Sequence, residues 1–141
     1  MKINLCVKSI LLVLVAVLTG CNSDENSETT LSESEQLLLV RKALARAPEQ
    51  IVEEEDLPEW LSEFVYSLTQ DSIREVAAYQ AKWEGEDVYY VYDLYASCLM
   101  CSTFKSDGER IDWSETDVVE FWESATDWKC IYLRKTKILD I

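Results

Sequence analysis

Residues 76–95 read VAAYQAKWEGEDVYYVYDLY, and this stretch decides the fold. Residues 76–83 alternate weakly between apolar and polar side chains, and residues 88–95 are rich in β-branched and aromatic side chains, so both segments favour strands. Between them, Glu84-Gly85-Glu86-Asp87 predicts a turn that uses the conformational freedom of glycine. Two strands joined by so short a turn pair antiparallel.

The segments that follow this hairpin extend the sheet. Ala96-Ser97 predicts a tight loop into a strand over residues 98–105, and Ser106-Asp107-Gly108 predicts the next turn. Further strands are predicted at about residues 110–113 and 128–134. Because these strands lie close together in the sequence, we expect a small, largely antiparallel sheet of about four to five strands.

Two helices complete the predicted domain. The first is opened by Pro58 after a capping Asp56, and its apolar stripe runs through about Thr69. The second begins at Ser114-x-x-Asp117, which is similar to a capping box, and it carries an apolar face. A largely antiparallel sheet packed against two helices is an α+β fold.

The chain that precedes this domain has a different composition. Residues 21–36 are polar and acidic, which predicts a flexible tether. Residues 37–56 predict a short helix, ended by Pro48, and an acidic linker. The acidic linker has no apolar periodicity that would fix this helix to the rest, so we place the globular α+β domain at residues 57–141.

Residues 1–20 are typical of a secretory signal peptide. Lys2 and Lys8 precede an apolar run of about a dozen residues, which is shorter than the roughly 20 that span a bilayer. The run ends in Leu18-Thr19-Gly20-Cys21, which resembles the lipobox of bacterial lipoproteins. An ordinary cleaved signal fits less well, because Leu18 stands where a small residue is usual.

The lipobox resemblance implies that Cys21 becomes the mature N-terminus and carries fatty acyl chains such as palmitate. Two or three chains anchor a protein stably, so the resemblance implies a lipid-anchored protein of the cell envelope. Asn22, the residue after Cys21, favours the outer membrane, on its periplasmic or its surface face. The start at Leu57-Pro-Glu-Trp-Leu61 and the V-Y-Y-V-Y strand are similar to uncharacterised small lipoproteins of Bacteroidota, a likeness that implies no activity.

Composition excludes several classes of function. Without the two lysines of residues 1–20, the chain carries 27 acidic and 11 basic side chains, a formal charge of −16 that disfavours nucleic acid as a partner. The chain contains no histidine, which removes the commonest general base and a common metal ligand. We therefore predict no enzyme, no catalytic residues, no metal and no cofactor.

Three cysteines besides Cys21 are available for a disulfide, and the sequence leaves their pairing open. If residues 98–105 form a straight strand, Cys98 and Cys101 are too far apart to pair, and Cys130 must pair with one of them. If the chain turns at residues 96–101, a Cys98–Cys101 disulfide can form. The C-x-x-C spacing also supports an alternative function as an extracytoplasmic thiol/disulfide protein, although a thioredoxin-like helix is not predicted after it.

The tyrosine-rich strand offers the main binding hypothesis. Period-2 alternation places Tyr89, Val91, Asp93 and Tyr95 on one face of the strand. If the helices cover only the other face, the rings of Tyr89 and Tyr95 and the carboxylate of Asp93 are exposed and can hold a glycan or a protein partner. We therefore predict a lipid-anchored binding or interaction module.

Overall fold

The computed structural model describes residues 31–70, 74–93 and 96–135. The predicted signal peptide, Cys21 and most of the predicted tether lie outside these residues. The described part contains three α-helices, one 3-10 turn at Glu54–Asp56 and four strands. In chain order these are α1 (Glu33–Leu44), α2 (Glu59–Thr69), β1 (Val76–Trp83), β2 (Glu86–Asp93), β3 (Thr103–Lys105), α3 (Val118–Ser124) and β4 (Thr126–Arg134).

The four strands form one antiparallel sheet in the order β3-β2-β1-β4. The hairpin pairs Trp83 with Glu86, so its turn consists of Glu84 and Gly85 alone, with φ values of 50° and 81°. A two-residue turn with two positive φ angles matches the twist of the strands that it joins. The predicted α+β fold with a small antiparallel sheet is confirmed, and β2 begins two residues earlier than predicted.

Helix α1 begins within the predicted tether. Ser32 accepts a hydrogen bond from the Glu35 backbone N–H, and the Glu35 carboxylate accepts one from the Ser32 N–H, which is a capping box. Val40 of this helix is buried in the same cluster of side chains as Phe121 and Trp122 of α3. The residues described from Leu31 onward belong to one compact unit, which begins before the predicted domain start at residue 57.

Helix α3 begins later than its sequence pattern predicts. The cap is Asp117, whose side chain accepts a hydrogen bond from the Glu120 N–H. Ser114 cannot take this role, because its hydroxyl and its N–H both donate to the Asp112 carboxylate. The capping-box pattern correctly indicated a helix here but misplaced its first residue by one turn.

The region between β2 and α3 is less regular than predicted. Residues 98–102 form turns, and β3 is limited to Thr103–Lys105. The predicted strand over residues 110–113 is reduced to one isolated bridge between Arg110 and Phe104. The predicted turn between these segments is present, because the Gly108 N–H donates to the Lys105 carbonyl and closes it.

Both edges of the sheet are covered by irregular chain. Residues 48–52 run parallel to β4, with Cys130 N–H donating to the Pro48 carbonyl at 2.9 Å and Gln50 N–H donating to the Cys130 carbonyl at 2.8 Å. On the other edge, Ile111 N–H donates to the Thr103 carbonyl at 2.9 Å. Covered edges offer few free backbone groups to another strand.

The two faces of the sheet bury separate groups of side chains. On the tryptophan face, α1 and α3 cover the sheet, and the buried residues are Val40, Ala81, Val88, Tyr90, Met100, Ile111, Phe121, Trp122, Ala125 and Trp128. On the α2 face, α2 covers the sheet, and the buried residues are Leu57, Leu61, Val65, Val76, Ala78, Tyr89, Val91, Phe104 and Ile131. Both faces of β2 are therefore covered at the centre of the strand.

Candidate functional site

The structure buries Tyr89 under α2 and Asp93 in an ion pair, contrary to the prediction that these two side chains are exposed. Tyr89 is only 6% exposed, and its ring meets the edge of Trp60 at a centroid distance of 5.4 Å. Its hydroxyl accepts a hydrogen bond from Gln80 Nε2 at 3.2 Å. Burial raises the pKa of this phenol, which therefore stays protonated near neutral pH.

Asp93 does not present a free carboxylate either. Its side chain is 6% exposed and lies 3.0 Å from the Arg74 guanidinium, an ion pair at the end of β2. Tyr95 lies outside the described residues. The sequence predicted the alternation of side chains along β2 correctly, but it could not indicate that helices cover both faces.

One concave feature in the described part of the chain is a groove of about 940 Å³. We name it the β4 groove, because it runs beside β4 between the end of α1 and the edge segment at Pro48–Gln50. Its lining includes five charged residues, Arg46, Lys82, Asp87, Asp127 and Lys129. None of them was singled out as a site by the sequence, since they come from four separate segments.

A β-bulge shapes this groove. Along β1 and β4 the pairing passes from Gln80↔Lys129 to Lys82↔Thr126, so β4 contains one more residue than its partner over this interval. Asp127 absorbs the irregularity with a φ of 59°, a left-handed conformation that is uncommon outside glycine, asparagine and aspartate. The bulge separates the strands locally and leaves the lining side chains around a concave surface.

The charge of the β4 groove is opposite to that of the whole chain. Three of its charged side chains are basic and two are acidic, whereas the chain carries a formal charge of −14. Lys82 forms an ion pair with Asp87 at 2.8 Å, which raises the pKa of the lysine. Within the described residues, Arg46 and Lys129 form no ion pair.

One buried donor lies in the wall of the groove. Trp128 is 7% exposed, and its ring stacks on Trp122 with the planes inclined by 10°. Its Nε1–H has no hydrogen-bond partner among the described residues, although it is buried. An unpaired buried N–H costs free energy, so a hydrogen-bond acceptor that reached this indole would stabilise it.

The structure resolves the open question of cysteine pairing. Cys98 and Cys101 form a disulfide with a Cα–Cα distance of 5.4 Å, because the chain turns at this point and does not continue as a strand. Both cysteines are exposed, while Met100 between them is buried. The disulfide borders a second, smaller hollow of about 450 Å³ on the Cys98 side.

Cys130 is the remaining cysteine of the described residues and has a free thiol. It is 4% exposed within β4, where its Sγ–H donates to the Tyr132 carbonyl at 3.4 Å. Burial raises the pKa of this thiol, with a further contribution from the nearby Glu49 carboxylate. Both effects keep the sulfur protonated and poorly reactive.

Comparisons with profiles of protein families, with curated proteins and with solved structures find no match to this chain. Within residues 31–70, 74–93 and 96–135, no helix combines the length and the apolar character needed to cross a membrane. The same residues contain no group of three Cys, Asp or Glu side chains placed to hold a metal ion. The assignment of a function therefore depends on the β4 groove and the cysteine pair.

Proposed function

We propose that this chain is a lipid-anchored binding protein of the cell envelope, whose β4 groove holds an acidic glycan. The observation that carries the proposal is a groove lined by two cations, Arg46 and Lys129, that form no ion pair with the described residues of a strongly acidic chain. In a protein with 27 acidic side chains, cations that line a concavity without an ion pair favour an anionic ligand.

The size of the groove favours a small ligand over a protein surface. A volume of about 940 Å³ lies within the roughly 300–1,000 Å³ of small-molecule sites. The covered sheet edges offer few backbone groups for the addition of a partner strand. A segment of a glycan with carboxylate groups fits the volume, the cations and the solvent-open shape together.

The buried indole of Trp128 supports the same class of ligand. Its unpartnered Nε1–H would donate to a ligand hydroxyl or carboxylate oxygen. Sugar hydroxyls and uronic acid carboxylates supply such acceptors at short intervals. The net negative charge of the chain slows the encounter with an anion, whereas the contacts inside the groove decide the affinity.

The lipid anchor gives this binding its location. Acyl chains on Cys21 would hold the domain at a membrane surface, with the outer membrane favoured by Asn22. Mass spectrometry of the N-terminal peptide from cells tests the anchor: we expect a lipid-modified cysteine at position 21 and none in Cys21→Ala. Recovery of an unmodified Cys21 in the membrane-free fraction would contradict the anchor.

The ligand class is tested with the lipidated full chain in detergent micelles. Isothermal titration with an oligogalacturonate should show saturable binding, and the neutral reduced oligosaccharide of the same length should bind at least about tenfold more weakly, since charge-assisted hydrogen bonds contribute about 1.5–3 kcal/mol. Arg46→Ala and Lys129→Ala should each weaken binding about tenfold. Lys105→Ala, on the opposite edge of the sheet, is the matched control and should bind like the wild type.

Two outcomes contradict this assignment. Equal binding of the acidic and the neutral oligosaccharide would show that the cations do not select the ligand. If no acidic glycan binds, but the wild type captures an envelope protein that Arg46→Ala does not capture, the occupant of the groove is an acidic protein segment. The glycan proposal then fails.

A further inference from the structure

The Cys98–Cys101 disulfide faces solvent, although the backbone that carries it is held in the core. Both cysteines are exposed, and the two residues between them point inward, with Met100 only 4% exposed. Cys130 shows the opposite arrangement, with its sulfur buried in β4. Within the described residues, the reactive sulfur chemistry of the protein is therefore concentrated at one surface turn.

Four side-chain hydrogen bonds hold this turn independently of the disulfide. The Tyr90 hydroxyl donates to the Leu99 carbonyl at 3.0 Å, and Trp113 Nε1–H donates to the Met100 carbonyl at 3.1 Å. The Thr103 hydroxyl also donates to the Met100 carbonyl, and Trp122 Nε1–H donates to the Met100 sulfur. These donors come from the tryptophan face and its neighbouring strands, so they would hold the turn when the S–S bond is absent.

The covalent link itself adds little to this restraint. A disulfide stabilises a protein mainly by restricting the unfolded chain, and a ring closed by residues three apart restricts it least. The disulfide is thus exposed and closes a minimal loop, while the fold around it is supported by other contacts. This combination is typical of a bond that can be exchanged and not of one that holds a fold together.

The hollow of about 450 Å³ beside the turn borders one of the two cysteines. Cys98 contributes to its lining together with Tyr92, Ser97 and Leu99, whereas Cys101 does not. A partner segment seated in this hollow would bring its thiolate to Cys98. Access of the attacking thiolate is one of the factors that decide which sulfur of a disulfide reacts.

From this geometry we infer that Cys98–Cys101 is a thiol–disulfide exchange site that oxidises a reduced dithiol, and that Cys98 is the sulfur attacked. The thiolate of the dithiol forms a bond to Cys98 Sγ, the Cys98–Cys101 bond breaks, and Cys101 leaves as a thiolate that takes up a proton. The second thiol of the partner, after loss of its proton, then attacks the partner's first sulfur, which is bonded to Cys98 in the mixed disulfide. Cys98 leaves as a thiolate that takes up a proton, the partner becomes a disulfide, and two electrons have passed to the Cys98/Cys101 pair.

This activity does not depend on the β4 groove or on its ligand. The groove is lined by residues of α1, β1, β2 and β4 and includes no cysteine. Failure of the glycan proposal would leave the exchange site unaffected, and the reverse also holds, because the two are measured by different readouts.

The first experiment uses the lipidated full chain in detergent micelles with dithiothreitol as the dithiol. We expect one equivalent of dithiothreitol to be oxidised per chain under conditions in which the protein stays folded. After removal of dithiothreitol, a chromogenic thiol reagent should detect two new thiols in the protein. Cys130 should stay unreacted until denaturant is added, and the reduced protein should keep its native tryptophan fluorescence and its thermal midpoint within a few degrees. A disulfide that is reduced only when the protein unfolds would overturn the inference.

A matched pair of variants tests the assignment of Cys98. In Cys101→Ser the Cys98 thiolate can attack oxidised glutathione, and in Cys98→Ser the Cys101 thiolate can do so, each releasing one glutathione thiolate. We expect the mixed disulfide to form on the order of tenfold faster on Cys98, because the hollow gives it better access. Cys130→Ser, with the disulfide intact, should form none. Equal rates, or faster reaction at Cys101, would refute Cys98 as the attacked sulfur, and no reaction at either would refute the exchange site.

Discussion

The two faces of the sheet differ in how their cores are built, although they share the same strands. On the tryptophan face, rings from four segments of the chain meet around Phe121, which contacts Trp83, Trp113, Trp122 and Trp128. On the α2 face, a single helix supplies most of the cover, and its ring contacts run through Trp60 and Phe64 to Tyr89 and Phe104. The core of the tryptophan face is therefore a cluster of rings from several segments, whereas the core of the α2 face is formed by one helix that packs against the sheet.

This difference shows why an alternating strand does not identify a binding surface. Residues on both sides of β2 are buried, with Tyr90 on the tryptophan face and Tyr89 on the α2 face. The Tyr90 hydroxyl donates to the Leu99 backbone, whereas the Tyr89 hydroxyl accepts from the side chain of Gln80. Each tyrosine serves packing and a hydrogen bond, and the concave site lies elsewhere, at the β-bulge of β4.

The largest expected effect comes from removing one ring on each face. Phe121→Ala should lower the free energy of unfolding by about 4–5 kcal/mol, and Tyr89→Ala by about 3 kcal/mol, because Phe121 is fully buried among four rings and Tyr89 has one ring contact. Urea denaturation followed by tryptophan fluorescence measures both changes.

Tyr66→Ala provides the matched control for Tyr89→Ala. Tyr66 is on the solvent side of α2 and is 61% exposed, so its loss should change the free energy of unfolding by less than about 0.5 kcal/mol. A Tyr89→Ala variant as stable as Tyr66→Ala would mean that α2 does not cover this face. In that case the Tyr89 ring would be exposed, as the sequence predicts.

A smaller effect is expected at the contact between α2 and the turn after β3. Gly108 has a φ of 88°, and a Cβ added there would lie 2.8 Å from the Trp60 ring. Gly108→Ala should therefore cost about 2–3 kcal/mol, from left-handed strain together with displacement of the indole. The displacement should also weaken the bond from Trp60 Nε1–H to the Ser106 carbonyl, now 3.0 Å long.

Gly85→Ala separates the two contributions. Gly85 has a similar φ of 81°, but a Cβ there would meet nothing within 4 Å. The cost should be about 1 kcal/mol, from backbone strain alone. Equal losses of thermal stability in the two variants would show that Trp60 does not lie against Gly108.

The smallest effect is a dependence of stability on alkaline pH. Burial raises the pKa of Tyr90, and that of Tyr89 less strongly, so the folded protein keeps both phenols protonated at a pH where the unfolded chain releases the protons. The unfolded state then binds fewer protons, and stability should fall as pH rises above about 10, by at most about 1.4 kcal/mol per pH unit for each tyrosine.

Comparison of Tyr90→Phe with Tyr89→Phe shows how much of this pH dependence of stability comes from the tryptophan face and how much from the α2 face. Urea midpoints measured between about pH 9 and 11 should show a shallower loss of stability in both variants, with the larger change for Tyr90→Phe. The two variants also lose one hydrogen bond each, which lowers stability by about 1 kcal/mol at every pH. A slope unchanged by Tyr90→Phe would mean that the phenol is not buried in the tryptophan face.

Local patterns were sufficient to predict most of the secondary structure. The hairpin, the amphipathic helix after Pro58 and the helix near Val118 are all present, because each depends on periodicity and on turn or cap residues a few positions apart. The errors arose where distant contacts decide. Whether α1 packs on the sheet depends on the burial of Val40 by residues 80 positions later, which no local pattern reports.

The candidate sites show the same division. The C-x-x-C spacing identified Cys98 and Cys101 as a pair worth testing, but the choice between a strand and a turn depended on Met100 entering the core. The β4 groove could not be found from sequence, since Arg46, Lys82 and Lys129 are far apart in the chain.

By itself the sequence determined the class of fold, the acidic character and the absence of histidine, because periodicity, charge and composition are properties of neighbouring residues or of simple counts. Only the tertiary structure decided which face of β2 is covered, which cysteines pair and which charged side chains line one groove. These features depend on the path by which α1, α2 and the β4 bulge return to the sheet, and that path is set by the simultaneous packing of side chains on both of its faces.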